Sequence, residues 1–313
     1  MPTPKQVLIT PRAAAVPHMK LDDAQVQFYR DNGYLRLEGL TNQQEVDAIR
    51  GILQQLFEKR AGEKEGAFAD LVAGADHPNV LSSPQILNPV NYVPKLHETQ
   101  CFRNALSIAR QLLGDDARCF FDLSILKKPK GGAATPWHQD EAFRDPNFEY
   151  NELTIWVALQ PVVPEGGCMQ FIPGSHKGPI LDHHSANNDP TSQALDCSDL
   201  VDQRAAVPCA LQPGDCTIHH PRTLHGTATN TSLTPRFAYI MTFGTAPKPI
   251  EGKRSFPWRV EKETPIQEQK KRWMRRGGVF ITVWRRLRRG DLKNWRAAVY
   301  GLQRSMRILR KGM

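Results

Sequence analysis

Two short polar segments, residues 135–141 and 223–231, constrain this chain more than any other part of its 313 residues. His138 and Asp140 are two residues apart, so on an extended strand both side chains point to the same face of a sheet. A third imidazole, His225, follows 85 residues after Asp140 in a stretch that also has the pattern of strand and turn. Two histidines and one carboxylate on adjacent strands predict a facial triad, which holds one side of an octahedral Fe(II) ion and leaves the other side open.

An arginine accompanies this triad. Arg236 stands eleven residues after His225. A guanidinium group can clamp a carboxylate with two parallel hydrogen bonds. The triad and the arginine together predict the ligand set of an Fe(II)- and 2-oxoglutarate-dependent oxygenase that uses O2.

The region from about residue 118 to residue 243 consists of short β-rich runs that proline and glycine interrupt. These runs are residues 119–121, 123–126, 153–159, 169–172 and 237–241. Many short strands at such spacing are typical of a sandwich or a barrel and not of a parallel sheet. We therefore expect a mainly β fold with flanking helices.

Two helices and a strand are predicted before this region. Asp22 and Asp23 can cap a short first helix, and residues 34–37 alternate as a strand does. Residues 41–44 have the capping-box pattern. The apolar residues that follow recur at helical spacing and predict an amphipathic helix packed on a sheet: Val46, Ile49, Leu53, Leu56 and Phe57.

Two polar stretches are predicted to be loops. Residues 61–75 are polar and rich in glycine and alanine. Residues 182–208 form a long polar stretch that holds few β-forming residues. A loop of that length inside a compact domain is usually a lid or a binding loop, and we expect this role here.

Several motifs surround the triad. They are Trp137-His138-Gln139-Asp140, the run Gly-Cys-Met-Gln-Phe-Ile-Pro-Gly-Ser-His over residues 167–176, Pro213-Gly214-Asp215, and Leu224-His225-Gly226 with Arg236 after it. Their combination resembles the phytanoyl-CoA dioxygenase family of Fe(II)/2-oxoglutarate-dependent oxygenases. The resemblance covers roughly residues 21–245 and does not include the tail.

The resemblance implies a double-stranded β-helix (jelly roll, cupin-like), the class that the strand pattern also indicates. It implies that His138, Asp140 and His225 bind the iron. It also implies oxidation of an unactivated C–H bond of a small organic substrate, with succinate and CO2 as co-products.

The resemblance further implies a pocket for the co-substrate 2-oxoglutarate. Arg236 would pair with the distal carboxylate, and Thr227, two residues after the second histidine, could donate a hydrogen bond to it. Trp156 matches a family tryptophan in this pocket. A polar group from the strand before the triad often assists, and Lys127 and Lys128 are both candidates.

The carboxylate at position 140 bears on the outcome of the reaction. A halogenase has Gly or Ala there so that chloride can bind iron, and Asp140 therefore favours hydroxylation, desaturation or ring closure. The sequence does not identify the substrate. A small specialised metabolite is preferred to an acyl-CoA, because the acidic body gives no sign of a cationic channel. The competing hypothesis is a non-catalytic metal- or ligand-binding jelly roll.

Five other histidines have structural interpretations. His219 and His220 alternate faces of one strand, so only one can face the barrel interior, and we expect it to pack near the ligands without binding metal. His176 is expected to hold a turn. His183 and His184 lie in the stretch predicted to be a lid, where surface exposure is expected.

The net charge of +9 is unevenly divided. Residues 251–313 hold 19 basic and 5 acidic residues, whereas the other 250 residues hold 22 basic and 27 acidic ones. We expect a mobile N-terminal arm over residues 1–20, a jelly-roll oxygenase domain over 21–250, and a basic, partly helical extension over 251–313.

This extension has two interpretations. Its last segment has a helical apolar stripe, which we expect to pack on the catalytic domain: Trp295, Val299, Leu302, Met306 and Leu309. The alternative is contact with an anionic surface, a carrier protein or a lipid. Nucleic acid binding is not expected, because no recognition motif accompanies the charge.

The six cysteines show neither a C-x-x-C pair nor regular spacing, which indicates free thiols and a reducing compartment. The sequence has no apolar run long enough to cross a bilayer and no signal-peptide pattern. We therefore expect a soluble cytoplasmic protein.

Overall fold

The computed structural model describes residues 19–72, 82–252, 254–260 and 264–288. Within these ranges a seven-stranded and a four-stranded antiparallel sheet pack face to face. Trp156 and Ile240 of the large sheet share an apolar layer with Met169 and Phe171 of the small sheet. This arrangement is the double-stranded β-helix, and it confirms the predicted fold class.

The strands are numbered in chain order. In spatial order, the large sheet contains β1 (Tyr34–Leu37), β12 (Cys216–His219), β7 (Glu152–Ala158), β14 (Arg236–Gly244), β4 (Arg118–Lys127), β3 (Pro84–Leu87) and β2 (Phe68–Asp70). The small sheet contains β11 (Val207–Cys209), β8 (Met169–Phe171), β13 (His225–Thr227) and β5 (Thr135–His138). Two short pairs are β6 (Phe148–Glu149) with β15 (Lys248–Pro249), and β9 (His184–Ser185) with β10 (Leu195–Asp196). Each predicted run overlaps a strand, and the two runs between residues 119 and 126 form one strand, β4.

Strands β7 and β14 are buried along their whole length because both of their faces are covered. Ile155 and Tyr239 point into an outer core shared with the helices, whereas Trp156 and Ile240 point toward the small sheet. Successive strand residues face opposite sides, so a strand that is covered twice needs apolar residues at nearly every position.

The described α-helices are α1 (Asp23–Asn32), α2 (Gln43–Glu58), α3 (Gln100–Leu113), α4 (Pro257–Val260), α5 (Pro265–Trp273) and α6 (Val279–Arg288). Helices α2 and α3 cover the outer face of the large sheet, and the five apolar positions predicted for α2 are all buried. Leu53, for example, is fully buried, which stabilises the fold by about 2 kcal/mol.

The starts of the first two helices show how the sequence sets their bounds. Asp22 caps α1, since its side chain accepts a hydrogen bond of 2.7 Å from the Gln25 amide. The cap of α2 is Asn42 and not Thr41, where the predicted capping box began; Asn42 accepts from the Glu45 amide at 2.9 Å. The Thr41 hydroxyl donates instead to the Glu45 carboxylate.

Both predicted loops contain regular structure. Residues 63–65 form a 3-10 turn and β2 follows within the first loop, where strand pairing with β3 outweighs the polar composition. The stretch 182–208 contains β9, β10 and the start of β11, so it is a folded excursion and not a plain loop. We refer to residues 179–206 as the excursion.

Residues near both boundaries of the predicted jelly-roll domain contact the body. Residues 1–18 of the predicted arm lie outside the described residues, and residue 19 is already held, because the Met19 carbonyl accepts bonds from Ser107 and Gln111 of α3. Phe256 and Trp258 pack on the body with Ala142. Packing on the body therefore continues past residue 250, and the division into arm, domain and extension stays a prediction.

The remainder of the basic extension is partly described. Its described residues form α5 and α6, whereas the predicted apolar stripe from Trp295 to Leu309 lies outside the described residues. None of the described helices has both the length and the apolarity that a bilayer span requires.

Candidate functional site

Strands β5 and β13 bring the predicted ligands together. The two strands pair antiparallel with His225 opposite His138. Asp140 is the first residue of the 3-10 turn Asp140–Phe143, and the intervening Gln139 keeps an extended backbone (φ −122°, ψ 128°). The strand alternation therefore continues as far as the aspartate, and the ligand atoms of the three residues lie within 4.8 Å of one another.

The hydrogen bonds of the two histidines orient their rings. Nδ1 of His138 lies 2.8 Å from the Pro136 carbonyl, and Nδ1 of His225 lies 2.8 Å from the Thr223 carbonyl. A carbonyl only accepts, so each Nδ1 carries the proton and each Nε2 has a free lone pair. Both Nε2 atoms lie 3.7 Å from Oδ1 of Asp140.

The other oxygen of Asp140 is held by the large sheet. The Thr154 hydroxyl donates to Oδ2 at 2.9 Å, and Nε2 of His219 lies 3.4 Å from the same atom. Burial acts to raise the pKa of Asp140, but His219, His225 and His138 together hold this pKa well below 3.8. Asp140 is therefore a carboxylate at neutral pH.

The two facing imidazoles are neutral. Burial lowers the pKa of His138, and it holds the pKa of His225 well below 6.5, with the neighbouring histidines acting in the same direction. Neutral imidazole and carboxylate are the forms that bind a metal ion. The donor set, two imidazole nitrogens and one carboxylate oxygen that lie close together, fits Fe(II) with open positions.

Arg236 lies at the start of β14 and is almost fully buried. Its Cζ lies 5.1 Å from the centre of the Trp156 ring, and one of its terminal nitrogens lies 3.4 Å from the Gly167 carbonyl. Its Nε has no hydrogen-bond partner among the residues that the structure describes. Burial lowers the pKa of Arg236 to about 10, so this group keeps its charge at neutral pH.

The two candidate lysines, Lys127 and Lys128, differ in burial. Lys127 is fully buried, and its Nζ donates to Thr227 Oγ1 at 2.6 Å and to the Ala228 carbonyl at 2.7 Å, whereas Lys128 is exposed. Lys127 and Arg236 are paired residues of β4 and β14. Burial, and after it the charge of Arg236, lowers the pKa of Lys127 to about 6.

The predictions for the other histidines have mixed outcomes. His219 is the member of its pair that faces the interior, as expected, and His176 ties its turn to α1 through the Arg30 carbonyl at 3.0 Å. The exposure expected for His183 is wrong. That residue is buried, and its Nε2 accepts from the Gln139 amide at 3.1 Å, whereas His184 is half-buried.

Sequence reasoning missed two residues that support Asp140. In the sequence, Thr154 is distinguished only by its position in an apolar run, and its cross-strand pairing with His219 appears only in the folded sheet. Glu141 could have been identified more easily from the sequence. It is a carboxylate next to the triad, and it is buried between Arg222 and Arg254.

Residues 29–238 of this chain match the family profile of phytanoyl-CoA dioxygenase (PhyH). The chain belongs to this family. This chain is similar to the "Probable alpha-ketoglutarate-dependent hypophosphite dioxygenase" of Stutzerimonas stutzeri, to which it is 26% identical over 236 residues. That alignment covers 70% of this chain and 77% of the relative.

Solved structures of similar fold agree with the family. EvdO2 from Micromonospora carbonacea var. aurantiaca is 35% identical with a TM-score of 0.69, covering 78% of this PhyH-family chain and 98% of EvdO2. The complex of EvdO2 with 2-oxoglutarate is 31% identical with a TM-score of 0.66, and the match covers 77% of this chain and 97% of EvdO2. The alpha ketoglutarate dependent carbocyclase SnoK from nogalamycin biosynthesis is 25% identical with a TM-score of 0.62, and the match covers 77% of this chain and 98% of SnoK.

This PhyH-family protein is therefore an Fe(II)- and 2-oxoglutarate-dependent dioxygenase. The non-catalytic alternative is not supported by these relatives. The family match ends at residue 238, so the packed residues 254–258 lie outside it.

Proposed function

We propose that His138, Asp140 and His225 bind one Fe(II) ion and that the enzyme hydroxylates an unactivated C–H bond of a small organic substrate. The observation that carries this proposal is the convergence of the three ligand atoms within 4.8 Å, with both Nδ1 atoms already bonded to carbonyl oxygens. When bound, the iron supplies the oxidising power with 2-oxoglutarate and O2, and the co-products are succinate and CO2. The protein's part is to position the groups and exclude water.

We propose that Arg236 pairs with the distal carboxylate of 2-oxoglutarate. A buried guanidinium with an unused Nε–H is costly unless an anion completes its hydrogen bonds. Trp156 supports the cation from its ring face, and Lys127 on the neighbouring strand β4 and Thr227 on β13 of the small sheet supply further donors. These contacts support a pocket for a dicarboxylic keto acid between the two sheets.

Asp140 favours hydroxylation, desaturation or ring closure over halogenation, since the carboxylate occupies the position that chloride would need, and of these three outcomes we propose hydroxylation. SnoK is described as a carbocyclase, so ring closure is an alternative outcome, together with desaturation. Product mass separates hydroxylation from both, because hydroxylation adds one oxygen atom whereas ring closure and desaturation each remove two hydrogens.

A succinate-release screen tests the substrate class. Candidates are free amino acids, polyketide and terpenoid intermediates, carrier-bound acyl groups and fatty acyl-CoA. We expect a small specialised metabolite to stimulate succinate formation above the rate without substrate, in proportion to product formed. The His225→Ala variant is the control for iron-independent decay of 2-oxoglutarate. Selective stimulation by a fatty acyl-CoA would contradict the preference for a small metabolite.

We propose a separate contact between α6 and an anionic phospholipid surface. Phe280, Ile281 and Trp284 keep 77%, 43% and 54% of their surface exposed on this helix. Exposed Arg275 and Arg276 lie at the bend before it. Exposed apolar side chains beside cations are typical of helices that lie in a membrane interface.

Co-sedimentation with vesicles tests this contact. The full chain should sediment with phosphatidylglycerol vesicles at low salt and much less with phosphatidylcholine vesicles. Phe280→Ser should reduce this binding, whereas Phe28→Ser, at a comparably apolar exposed position on α1, should not. Binding to a carrier protein and not to vesicles, or equal binding of both variants, would contradict a lipid surface. We also propose a cytoplasmic location, which the six free cysteines fit.

A further inference from the structure

A short segment beyond the matched family domain packs against the turn that begins with Asp140. We call residues 254–258 the C-terminal strap. Arg254 donates to the Glu141 carboxylate at 3.1 Å, and Nε1 of Trp258 donates to the Ala142 carbonyl at 3.0 Å. The strap therefore contacts the two residues that directly follow the proposed metal ligand.

Arg254 also contacts the chain after this turn. Its Nε donates to the Pro146 carbonyl at 2.9 Å and another nitrogen donates to the Phe148 carbonyl at 2.6 Å. Glu141 is 1% exposed and receives a second guanidinium, from Arg222, at 2.8 and 3.1 Å. A buried carboxylate is stable only when its partners are in place, so the position of the turn depends on both arginines.

The residue on the other side of the ligand is held as well. The Gln139 amide donates to Nε2 of His183, and the His183 ring lies 5.3 Å from the ring of Trp258. Trp258 and Phe256 stack at 4.9 Å and pack with Leu195 of the excursion. The strap, the excursion and the turn thus form one contact network around Asp140.

We propose that Arg254 and Trp258 are positioning residues of the metal centre. They fix the turn that directs the Asp140 carboxylate toward His138 and His225. Groups outside the ligand shell hold metal ligands in their orientation, and their loss typically weakens metal binding 10- to 100-fold. The proposal rests on the proposed function in one respect, the assignment of Asp140 as a ligand. It places part of the iron site in a segment that follows the family domain.

Variants of the full chain test the strap. Trp258→Phe removes the hydrogen bond to Ala142 and keeps an aromatic ring. Arg254→Met removes the guanidinium group that contacts Glu141. Fe(II) affinity is measured without oxygen from the visible charge-transfer band of the complex with 2-oxoglutarate, and the melting temperature of the metal-free protein is measured in parallel. We expect Fe(II) to bind ~10-fold more weakly to both variants.

Two further variants separate positioning from stability. Arg204→Met removes an exposed arginine of the excursion, which pairs with its neighbour Asp202 at 2.8 Å, and should leave Fe(II) affinity unchanged. Arg254→Lys keeps the charge beside Glu141 but replaces the three contacting nitrogens of the guanidinium by a single nitrogen, so it should recover part of the affinity. If Arg254 and Trp258 act through packing alone, Trp258→Phe and Arg254→Met should lower the melting temperature and leave Fe(II) affinity as in the wild type.

The outcomes are distinguishable. Affinity within twofold of the wild type in both Trp258→Phe and Arg254→Met overturns the strap proposal, whatever their melting temperatures. If Arg254→Met does not fold, Trp258→Phe decides the question by itself. A wild-type protein without the charge-transfer band would refute the proposed function and this proposal together, whereas a wild-type band that both variants retain at full affinity would refute only the strap.

Discussion

Thr154 and His219 are a cross-strand pair of β7 and β12, and both approach the same carboxylate oxygen of Asp140. The threonine hydroxyl lies 2.9 Å from Oδ2 and the imidazole Nε2 lies 3.4 Å from it. Oδ1, in contrast, lies 3.7 Å from Nε2 of His138 and of His225. The large sheet therefore holds one oxygen, and the other is directed toward the two histidines of the small sheet.

Replacing Thr154 with valine keeps the shape of the side chain and removes its bond to Oδ2. We expect Fe(II) binding to weaken ~10-fold, because the carboxylate loses a group that fixes its rotation. Metal titration of the oxygen-free protein measures this change. Thr242→Val is the matched control, since Thr242 is buried opposite Thr154 on β14 and makes no bond to Asp140. Equal losses in both variants would mean that Thr154 acts only through packing.

Arg236→Met should raise the dissociation constant for 2-oxoglutarate. A charged hydrogen-bond partner inside the protein contributes about 2 kcal/mol, which corresponds to roughly a 30-fold change. Calorimetry on the Fe(II)-loaded protein measures it, with the exposed Arg36→Met as the control. A change of less than threefold would show that another group holds the distal carboxylate.

Binding of 2-oxoglutarate near pH 7 should be accompanied by proton uptake. Burial and the charge of Arg236 lower the pKa of Lys127 to about 6, so the free protein holds this amine uncharged at pH 7. A dianion beside both groups favours the charged amine and raises its pKa, and binding should therefore weaken as the pH rises above about 6.

Calorimetry in buffers of different ionisation enthalpy measures this proton. Lys127→Met should abolish the uptake, whereas the exposed Lys128→Met should keep it. Uptake of the same size in the Lys127 variant would assign the proton to another group.

Gly167→Ala should impair both folding and co-substrate binding. Gly167 has φ +71°, and a Cβ at this position would lie 2.4 Å from the carbonyl oxygen of Ala228, which accepts the Lys127 bond. Gly252→Ala is the control, because it shares the positive φ (+95°) but no atom of the described part of the chain lies within 4 Å of the added Cβ. Both variants carry backbone strain of about 1 kcal/mol, and only Gly167→Ala should also weaken 2-oxoglutarate binding.

The sequence contained enough to predict a mainly β fold, because short β-rich runs are interrupted by proline and glycine, and to predict that His138, Asp140 and His225 lie together. The spacing of His138 and Asp140 fixed their common face, and the apolar periodicity of α2 fixed its buried side. The choice between Lys127 and Lys128 needed the register of β4 against β14, which one strand's sequence does not determine.

What could not be predicted depends on contacts between distant parts of the chain. Glu141, Arg222 and Arg254 are separated by up to 113 residues, and no local pattern links them. His183 is in a polar stretch that predicts exposure, yet the strap and the excursion bury it. Long-range packing outweighed local polarity at these positions.

The central claim is that His138, Asp140 and His225 form the iron site, and an oxygen-free titration of the full chain with Fe(II) and 2-oxoglutarate tests it most directly. We expect one Fe(II) per chain with the visible charge-transfer band of bound 2-oxoglutarate. We also expect that His138→Ala and His225→Ala lose this band while they retain the circular dichroism of the wild type. A band of full intensity and unchanged stoichiometry in either variant would contradict the assignment.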